Sequence, residues 1–240
     1  MTTGKYGMVA LDIDDTLINF DDEATRPVIE AVHNVVKSGA HVVLATGRGM
    51  FAAQSVIRMF DLETGHCVAS NGAVTFSYQP FEVARALTFD PRPVVEDALR
   101  KLPEALVAVE VVGRGYRVNQ PFPSGEIGGK MWVEPVEKLM AEPVTRVLVR
   151  DPAAAPHRHQ EFAPEGVSKI SGLAVLAESF GLGPQDVLAI GDGMNDIEML
   201  RWAGRGVAMG QAKDAVKAAA DAVTGSITED GAAMELNHWF

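Results

Sequence analysis

Three carboxylates follow a short apolar run near the N-terminus, and their spacing could support metal or acid–base chemistry. The run Met8–Leu11 leads directly into Asp12, Asp14 and Asp15. Such a run is typical of a buried parallel strand, and open α/β sheets bind their ligands at the carboxyl ends of the strands. Asp12 and Asp14 share one face of a strand, so their charges repel unless a cation or a proton lies between them. The spacing therefore predicts a bound hard metal ion or a carboxyl group with a raised pKa.

A second acidic cluster follows another apolar run, Val187–Ile190. Gly191 and Asp192 come directly after that run, and Asn195 and Asp196 follow shortly. If the two runs are neighbouring strands, their carboxylates meet at one sheet edge, and carboxylate oxygens are the ligands that Mg²⁺ prefers. Asp and Asn also cap helices and turns, which is the alternative for either cluster alone. The two clusters together favour a metal site.

Two further segments carry groups that suit phosphate. The strand-like run His41–Ala45 leads into Thr46 and Gly47, and a basic residue, Lys169, lies before the second acidic cluster. A threonine hydroxyl and backbone N–H groups at a strand end can bind phosphate oxygens, and lysine adds a compact positive charge. Taken singly, Thr46 is also interpretable as a helix cap and Lys169 as a solvated surface group. The order of the segments along the chain decides between these interpretations.

That order resembles the haloacid dehalogenase superfamily of phosphohydrolases over the whole chain. The resemblance depends on four motifs: Asp12-x-Asp14-x-Thr16, Thr46, Lys169 and Gly191-Asp192-x-x-Asn195-Asp196. Two more segments resemble the Cof-type branch of the superfamily, namely Ser70-Asn71-Gly72-Ala73 and Gly206-Val207-Ala208-Met209-Gly210. Two positions depart from that branch. The branch usually has glycine at the position of Asp15, and asparagine often follows Met-Gly where this chain has Gln211.

The resemblance implies a role for each motif residue in a two-step hydrolysis through an aspartyl-phosphate. It makes Asp12 the nucleophile and Asp14 the general acid and base, with Thr46 and Lys169 as the other catalytic residues. It implies that Mg²⁺ is held by Asp12, the backbone carbonyl of Asp14 and Asp192, while Asp196 orients a ligated water. The implied substrate-binding residues are Asp15, Thr46, Gly47, Asn71, Lys169 and Asn195.

Composition limits the classes of partner. The chain has 240 residues, 47% of them hydrophobic, and a formal net charge of −11. This charge argues against a nucleic-acid partner, because phosphate-backbone binding needs clustered Lys and Arg. No apolar stretch is long enough for a membrane span, and no secretion signal is recognised. The single cysteine, Cys67, is expected to be a small buried residue and fits a reducing compartment. We expect a cytoplasmic protein that binds a small phosphorylated metabolite; the oligomeric state is not predicted.

The order of segments predicts an α/β fold, with a Rossmann-like, doubly wound parallel sheet and an inserted smaller α+β domain. Residues 1–79 and 163–240 alternate strand and helix patterns and are predicted to form the hydrolase core. Residues 80–162 are rich in proline and carry strand-like runs, which predicts an antiparallel cap sheet. The resemblance implies a C2-type cap, for which this segment is short, so we expect a reduced cap. His157 and His159 in it are interpreted as part of a solvated loop rather than as a metal pair.

These patterns favour a magnesium-dependent phosphatase for a small phosphomonoester, a sugar phosphate or related metabolite. One alternative is a phosphotransferase or phosphomutase that uses the same intermediate; a cap inserted after the second motif favours the phosphatase. Another alternative is a non-catalytic module that binds a phosphate ligand, against which the intact motif residues argue. Four cap residues are candidates for contact with the leaving group, but surface or cap-core roles are equally compatible with their types: Arg114, Arg117, Lys130 and Trp132.

Overall fold

The chain folds into two sheets flanked by helices, seen in a computed structural model that describes residues 5–155 and 158–240. The strands in this part of the chain are β1 (Met8–Leu11), β2 (His41–Ala45), β3 (Gly65–Ala69), β4 (Val74–Tyr78), β5 (Glu82–Ala86), β6 (Leu106–Val111), β7 (Gly115–Val118), β8 (Lys130–Val133), β9 (Val147–Arg150), β10 (Gln160–Phe162), β11 (Val187–Gly191), β12 (Arg205–Ala208) and β13 (Ala222–Val223). The helices are α1 (Arg26–Ser38), α2 (Met50–Met59), α3 (Arg92–Lys101), α4 (Val136–Leu139), α5 (Lys169–Ser179), α6 (Ile197–Trp202), α7 (Asp214–Lys217) and α8 (Gly231–Trp239).

The larger sheet has eight strands in the order β13-β12-β11-β1-β2-β3-β4-β5. Pairing is parallel from β13 to β3, and β4 and β5 add an antiparallel hairpin at one edge. Leu11 at the end of β1 is in register with Ile190 on β11 and Leu44 on β2. The carboxyl ends of these three strands therefore lie side by side. The predicted α/β fold with a parallel Rossmann-like core is confirmed.

Strand β1 is buried on both faces, as the unbroken apolar run predicts. Val9 and Leu11 pack into one hydrophobic cluster, and Met8 and Ala10 pack into another on the opposite face. All four side chains have 0% exposure. Full burial of an aliphatic side chain stabilises a fold by about 1.5–3 kcal/mol, so the centre of the sheet is a rigid support for the residues that follow β1.

The smaller sheet has five strands in the order β10-β9-β6-β7-β8. Its pairs are antiparallel except β7 and β8, which run parallel and so depart from the expected antiparallel sheet. The chain returns between β7 and β8 through the long loop 119–129, which makes the parallel pairing possible. Helices α3 and α4 cover one face, and the other face carries Tyr116 and Leu148.

The division into 1–79 plus 163–240 and 80–162 stays a prediction. Strand β5 falls inside 80–162 and yet pairs with β4 in the larger sheet. Residues 151–155 contain neither helix nor strand, and His157 lies outside the described residues. Cys67 is fully buried, as predicted. Within the described ranges, every helix is too short or too polar to span a bilayer.

Candidate active site

A buried lysine joins the two acidic clusters at the carboxyl edge of the larger sheet. Lys169 Nζ lies 2.5 Å from Asp12 Oδ1 and 2.6 Å from Asp196 Oδ1. Lys169 is only 1% exposed, so it is not a solvated surface group. It occupies the first position of α5, and the backbone N–H of the preceding residue, Ser168, donates a hydrogen bond to Ser171 Oγ at 3.1 Å. This bond helps to hold the start of the helix, from which the lysine side chain reaches the two carboxylates.

Three carboxylates lie close enough to share one cation. Oxygens of Asp12, Asp192 and Asp196 all lie within 4.8 Å of one another. Asp196 Oδ2 accepts hydrogen bonds from the backbone N–H groups of Asp192, at 3.1 Å, and Gly193, at 2.8 Å. Asp196 is therefore anchored by the backbone, whereas the Asp192 carboxylate can offer its oxygen atoms to a ligand. An all-carboxylate set of this kind fits a hard divalent cation.

The electrostatics of the cluster also favour a cation. Burial raises the pKa of Asp12 to about 8, with a further contribution from the charge of Asp196, while Lys169 opposes the shift. Burial likewise raises the pKa of Asp192 to about 6, again reinforced by Asp196. Three carboxylates surround one ammonium group, so negative charge is in excess when all are ionised. A divalent ion would balance that excess.

Thr16 contacts the acidic cluster, and Thr46 lies at the end of the neighbouring strand β2. Thr16 Oγ donates a hydrogen bond to Asp12 Oδ2 at 3.2 Å, which leaves that carboxylate held from both sides by Thr16 and Lys169. Thr46 is fully buried at the end of β2, and its Oγ accepts a hydrogen bond from Arg48 N at 3.0 Å. The hydrogen bond between Thr16 and Asp12 could have been predicted from the spacing Asp12-x-Asp14-x-Thr16.

Asp14 points away from the cluster. Its carboxylate accepts from Arg48 Nη2 at 2.6 Å and Nε at 2.9 Å, and Arg48 also pairs with Asp22. The Asp14 side chain is 51% exposed and lines a cleft above the sheet edge. The carboxylate is therefore free of the buried lysine and open to a substrate, with Arg48 fixing its orientation.

A left-handed turn brings Asn71 to the same edge. Ser70, Asn71 and Gly72 have φ values of 49°, 52° and 105°. A Cβ on Gly72 would lie 1.9 Å from the carbonyl oxygen of Ser168, so only glycine fits there. Asn71 Oδ1 accepts from Asn195 Nδ2 at 2.9 Å, and both asparagines lie beside Gly47.

Comparison with known proteins identifies the family. The family model for haloacid dehalogenase-like hydrolases matches residues 9–116 and 136–236. The chain belongs to the haloacid dehalogenase-like hydrolases. The predicted family and enzyme class, a haloacid dehalogenase-type phosphoric monoester hydrolase, are thereby confirmed.

Individual relatives cover nearly the full length of both chains. The chain is 27% identical to the 5-amino-6-(5-phospho-D-ribitylamino)uracil phosphatase YcsE of Bacillus subtilis, over 97% of this chain and 95% of the relative. It is 29% identical to the phosphoglycolate phosphatase of Methanopyrus kandleri, over 95% of each chain. A solved sugar phosphatase of haloacid dehalogenase subclass IIB has a TM-score of 0.79 at 26% identity and covers 96% of this chain and 98% of that one.

The two positions that depart from the Cof-type branch of the hydrolase family contact each other. Asp15 has a left-handed φ of 52°, which explains the glycine usual at this position, and aspartate is among the few residues that tolerate it. Gln211 Nε2 donates to the backbone oxygen of Asp15 at 2.5 Å, and its Oε1 accepts from Ile227 N at 2.9 Å. Gln211 thus ties the Asp15 turn to the loop before α8.

A cleft of about 590 Å³ separates the site from the smaller sheet. Its described lining includes, on the side of the sheet edge, Asp14, Asp15, Gly47, Asn71 and Asn195, and on the side of the smaller sheet, Tyr116, Glu126, Arg146, Leu148 and Glu161. Sequence reasoning missed the second group. Arg146 directly precedes β9 and is two residues from Leu148, while Val147 between them packs on the other face, so a charged residue in that two-residue pattern was the available signal.

The four cap residues that were candidates for contact with the leaving group lie outside the cleft. The charged groups of Arg114 and Lys130 lie 5.5 and 5.2 Å from the ring centre of Trp132. Arg117 Nε lies 3.9 Å from Glu134 Oε2. None of these side chains is among the described residues that line the cleft.

Proposed function

We propose that this hydrolase is a magnesium-dependent phosphatase of the cytoplasm that acts on a small phosphomonoester through an aspartyl-phosphate on Asp12. The proposal depends above all on Lys169, whose Nζ lies 2.5 Å from Asp12 and 2.6 Å from Asp196, beside Asp192. A carboxylate nucleophile, a buried ammonium group and a carboxylate metal site then share one strand edge. The names of the relatives as phosphatases, and of one solved structure as a sugar phosphatase, support a sugar phosphate or related metabolite as substrate.

In the first step, an oxygen of Asp12 forms a bond to phosphorus as the bond from phosphorus to the leaving oxygen breaks. Lys169 and Thr16 hold the Asp12 carboxylate in place for this attack. Asp14 gives its proton to the leaving oxygen, which departs as an alcohol. The position of Asp14 suits this transfer, because its side chain lines the cleft where the leaving group would lie.

In the second step, Asp14 takes a proton from water as the water oxygen attacks phosphorus. The bond between phosphorus and Asp12 breaks, inorganic phosphate is released, and the Asp12 carboxylate is restored. The buried ammonium of Lys169 lies where negative charge on the phosphoryl group needs compensation, and Thr46, Gly47 and Asn71 supply further donors at the same edge.

The proposed metal site consists of Asp12, Asp14 through its backbone carbonyl, and Asp192, with Asp196 as a supporting residue. A bound Mg²⁺ supplies positive charge that offsets the repulsion between the carboxylates and the phosphate. The anchored oxygens of Asp196 suit a role in orientation, because they already bond to Lys169 and to two backbone N–H groups.

Hydrolysis of para-nitrophenyl phosphate and of a panel of phosphorylated metabolites tests the proposal, with released phosphate as the readout. Activity should need Mg²⁺, stop on chelation and be abolished in Asp12→Asn. Asp21→Asn, an exposed acid outside the cleft, is the matched control and should retain full activity. In Asp14→Asn, intact-protein mass spectrometry should show a phosphorylated enzyme that accumulates. Undiminished turnover in Asp12→Ala would exclude the covalent scheme, and phosphoryl transfer to an added alcohol in preference to water would indicate a phosphotransferase.

A further inference from the structure

A buried arginine lines the cleft from the smaller sheet, and one of its three nitrogens has no hydrogen-bond partner among the described residues. Arg146 is 6% exposed and lines the cleft. Its Nη2 donates to Glu161 Oε2 at 3.0 Å and its Nη1 to Tyr116 Oη at 3.3 Å. Its Nε is buried and has no hydrogen-bond partner in the described structure. Buried polar groups are almost always paired, so an unpaired donor on a cleft wall points to a ligand.

The Arg146–Glu161 pair connects directly to the reacting end of the cleft. Glu161 Oε1 accepts from Asn71 Nδ2 at 3.1 Å, and Asn71 Oδ1 accepts from Asn195 Nδ2 at 2.9 Å. A continuous row of donors and acceptors thus runs from Asn195, beside the proposed phosphate position, up the wall of the cleft to Arg146. Hydroxyl groups both donate and accept, so they are the ligands that such a row suits.

The charge of the cleft argues against a second anion on the leaving group. Arg48 is paired with Asp14 and Asp22, and Arg146 is paired with Glu161. No arginine or lysine without a carboxylate partner is found among the described residues that line the cleft. A leaving group with its own carboxylate would therefore lie opposite Glu161 with no unpaired arginine or lysine among those residues to balance it.

We propose that Arg146 and Glu161 are specificity-determining residues: together they form a charge-neutral pair that binds hydroxyls of an uncharged leaving group and disfavours a leaving group with a second anionic group. This inference rests on the proposed phosphatase function. The cleft volume of about 590 Å³ agrees with it, because it lies in the range of sites that enclose a whole small molecule rather than a phosphate alone.

Two substrates of opposite leaving-group charge test the inference. D-ribitol 5-phosphate has a neutral, hydroxylated leaving group, and 2-phosphoglycolate has a carboxylate on it. We expect kcat/KM of the wild type to be higher for ribitol phosphate. Glu161→Gln keeps an acceptor for Asn71 but leaves the charge of Arg146 unbalanced, so the ratio should shift towards phosphoglycolate by about tenfold or more. Arg146→Gln should raise KM for ribitol phosphate without improving phosphoglycolate.

Control measurements separate specificity from folding. Glu134→Gln removes a cap carboxylate paired with Arg117 outside the cleft, and the substrate ratio should not change. The kcat for para-nitrophenyl phosphate should also stay near the wild-type value in Glu134→Gln. A wild type that prefers phosphoglycolate, or an unchanged ratio in Glu161→Gln, would overturn the inference and leave the phosphatase intact. A wild type that releases phosphate from none of these substrates with Mg²⁺ would refute the proposed function itself.

Discussion

Replacement of Lys169 by methionine should destabilise the metal-free protein strongly, and more at high pH than at low pH. The substitution keeps the length of the side chain but removes the ammonium group that lies 2.5 Å from Asp12 and 2.6 Å from Asp196. Lys169, Asp12 and Asp196 are 1%, 4% and 0% exposed, so water cannot replace the lost interactions. Removal of one partner from a buried ion pair costs about 3–5 kcal/mol.

The pH dependence follows from the raised pKa of Asp12. Burial moves this pKa from 3.8 to about 8, so the folded protein binds a proton that the unfolded chain has released between these values. Stability therefore falls as pH rises through this window, and the unfavourable contribution is absent below the unfolded pKa. Lys169 opposes the shift, and its own raised pKa keeps the ammonium charged throughout this range. Without it the pKa of Asp12 should rise further, so the loss of stability should grow as pH rises through the wild-type value of about 8.

Urea unfolding of the metal-free protein at pH 6 and pH 9 measures this effect. We expect Lys169→Met to lose about 3–5 kcal/mol at pH 9 and less at pH 6. Lys37→Met, at an exposed position in the last turn of α1, is the matched control and should change stability by less than about 0.5 kcal/mol. Equal losses at the two pH values, or none at pH 9, would show that Lys169 does not neutralise the buried carboxylates.

Three further predictions concern the metal site and the contact between the two sheets. Asp192→Asn should weaken Mg²⁺ binding at least tenfold in calorimetry, because a neutral amide replaces a charged ligand. In the wild type, Mg²⁺ affinity should rise from pH 5 to pH 8, because the pKa values of Asp192 and Asp12 are raised to about 6 and about 8 and both groups must ionise to bind. Calorimetry in buffers of different ionisation enthalpy measures the protons that are released on binding. An affinity that does not change with pH would contradict the raised pKa values. Glu110→Ala should lower the free energy of unfolding in urea by about 1–3 kcal/mol, since Glu110 accepts hydrogen bonds from the buried hydroxyls of Ser70 at 2.7 Å and Thr145 at 2.9 Å. A variant as stable as the wild type would show that water replaces the carboxylate.

Local patterns were enough to predict the parallel core. Met8–Leu11 is apolar at every position because β1 is buried on both faces, and the polar switch at Asp12 marks the end of the strand. Helix α1 likewise begins after Thr25, whose side chain accepts from Val28 N, and ends at Gly39, a C-cap with a φ of 88°. These features are encoded by neighbouring residues, so a single sequence suffices to find them.

The side of the cleft that the smaller sheet forms could not be predicted in the same way. Arg146 and Glu161 contact each other only because β9 and β10 pair antiparallel with Glu161 opposite Leu148. Register between strands depends on side chains that meet after folding, and no local pattern encodes it. Residue type alone suggested Arg114 and Trp132 instead, and these two side chains contact each other outside the cleft.

The turn at Ser70–Gly72 couples the position of the smaller sheet to the phosphate end of the cleft. Left-handed φ values at two successive non-glycine residues, Ser70 and Asn71, are unfavourable and need support from outside the turn. Two carboxylates from the smaller sheet supply it, since Glu110 accepts from Ser70 Oγ at 2.7 Å and Glu161 accepts from Asn71 Nδ2 at 3.1 Å. On the other side, Gly72 packs against the backbone before Lys169. The backbone N–H groups of Ser70 and Asn71 also donate to the carbonyls of Arg48 and Thr46, so the position of the smaller sheet fixes chiefly the side chains of this turn.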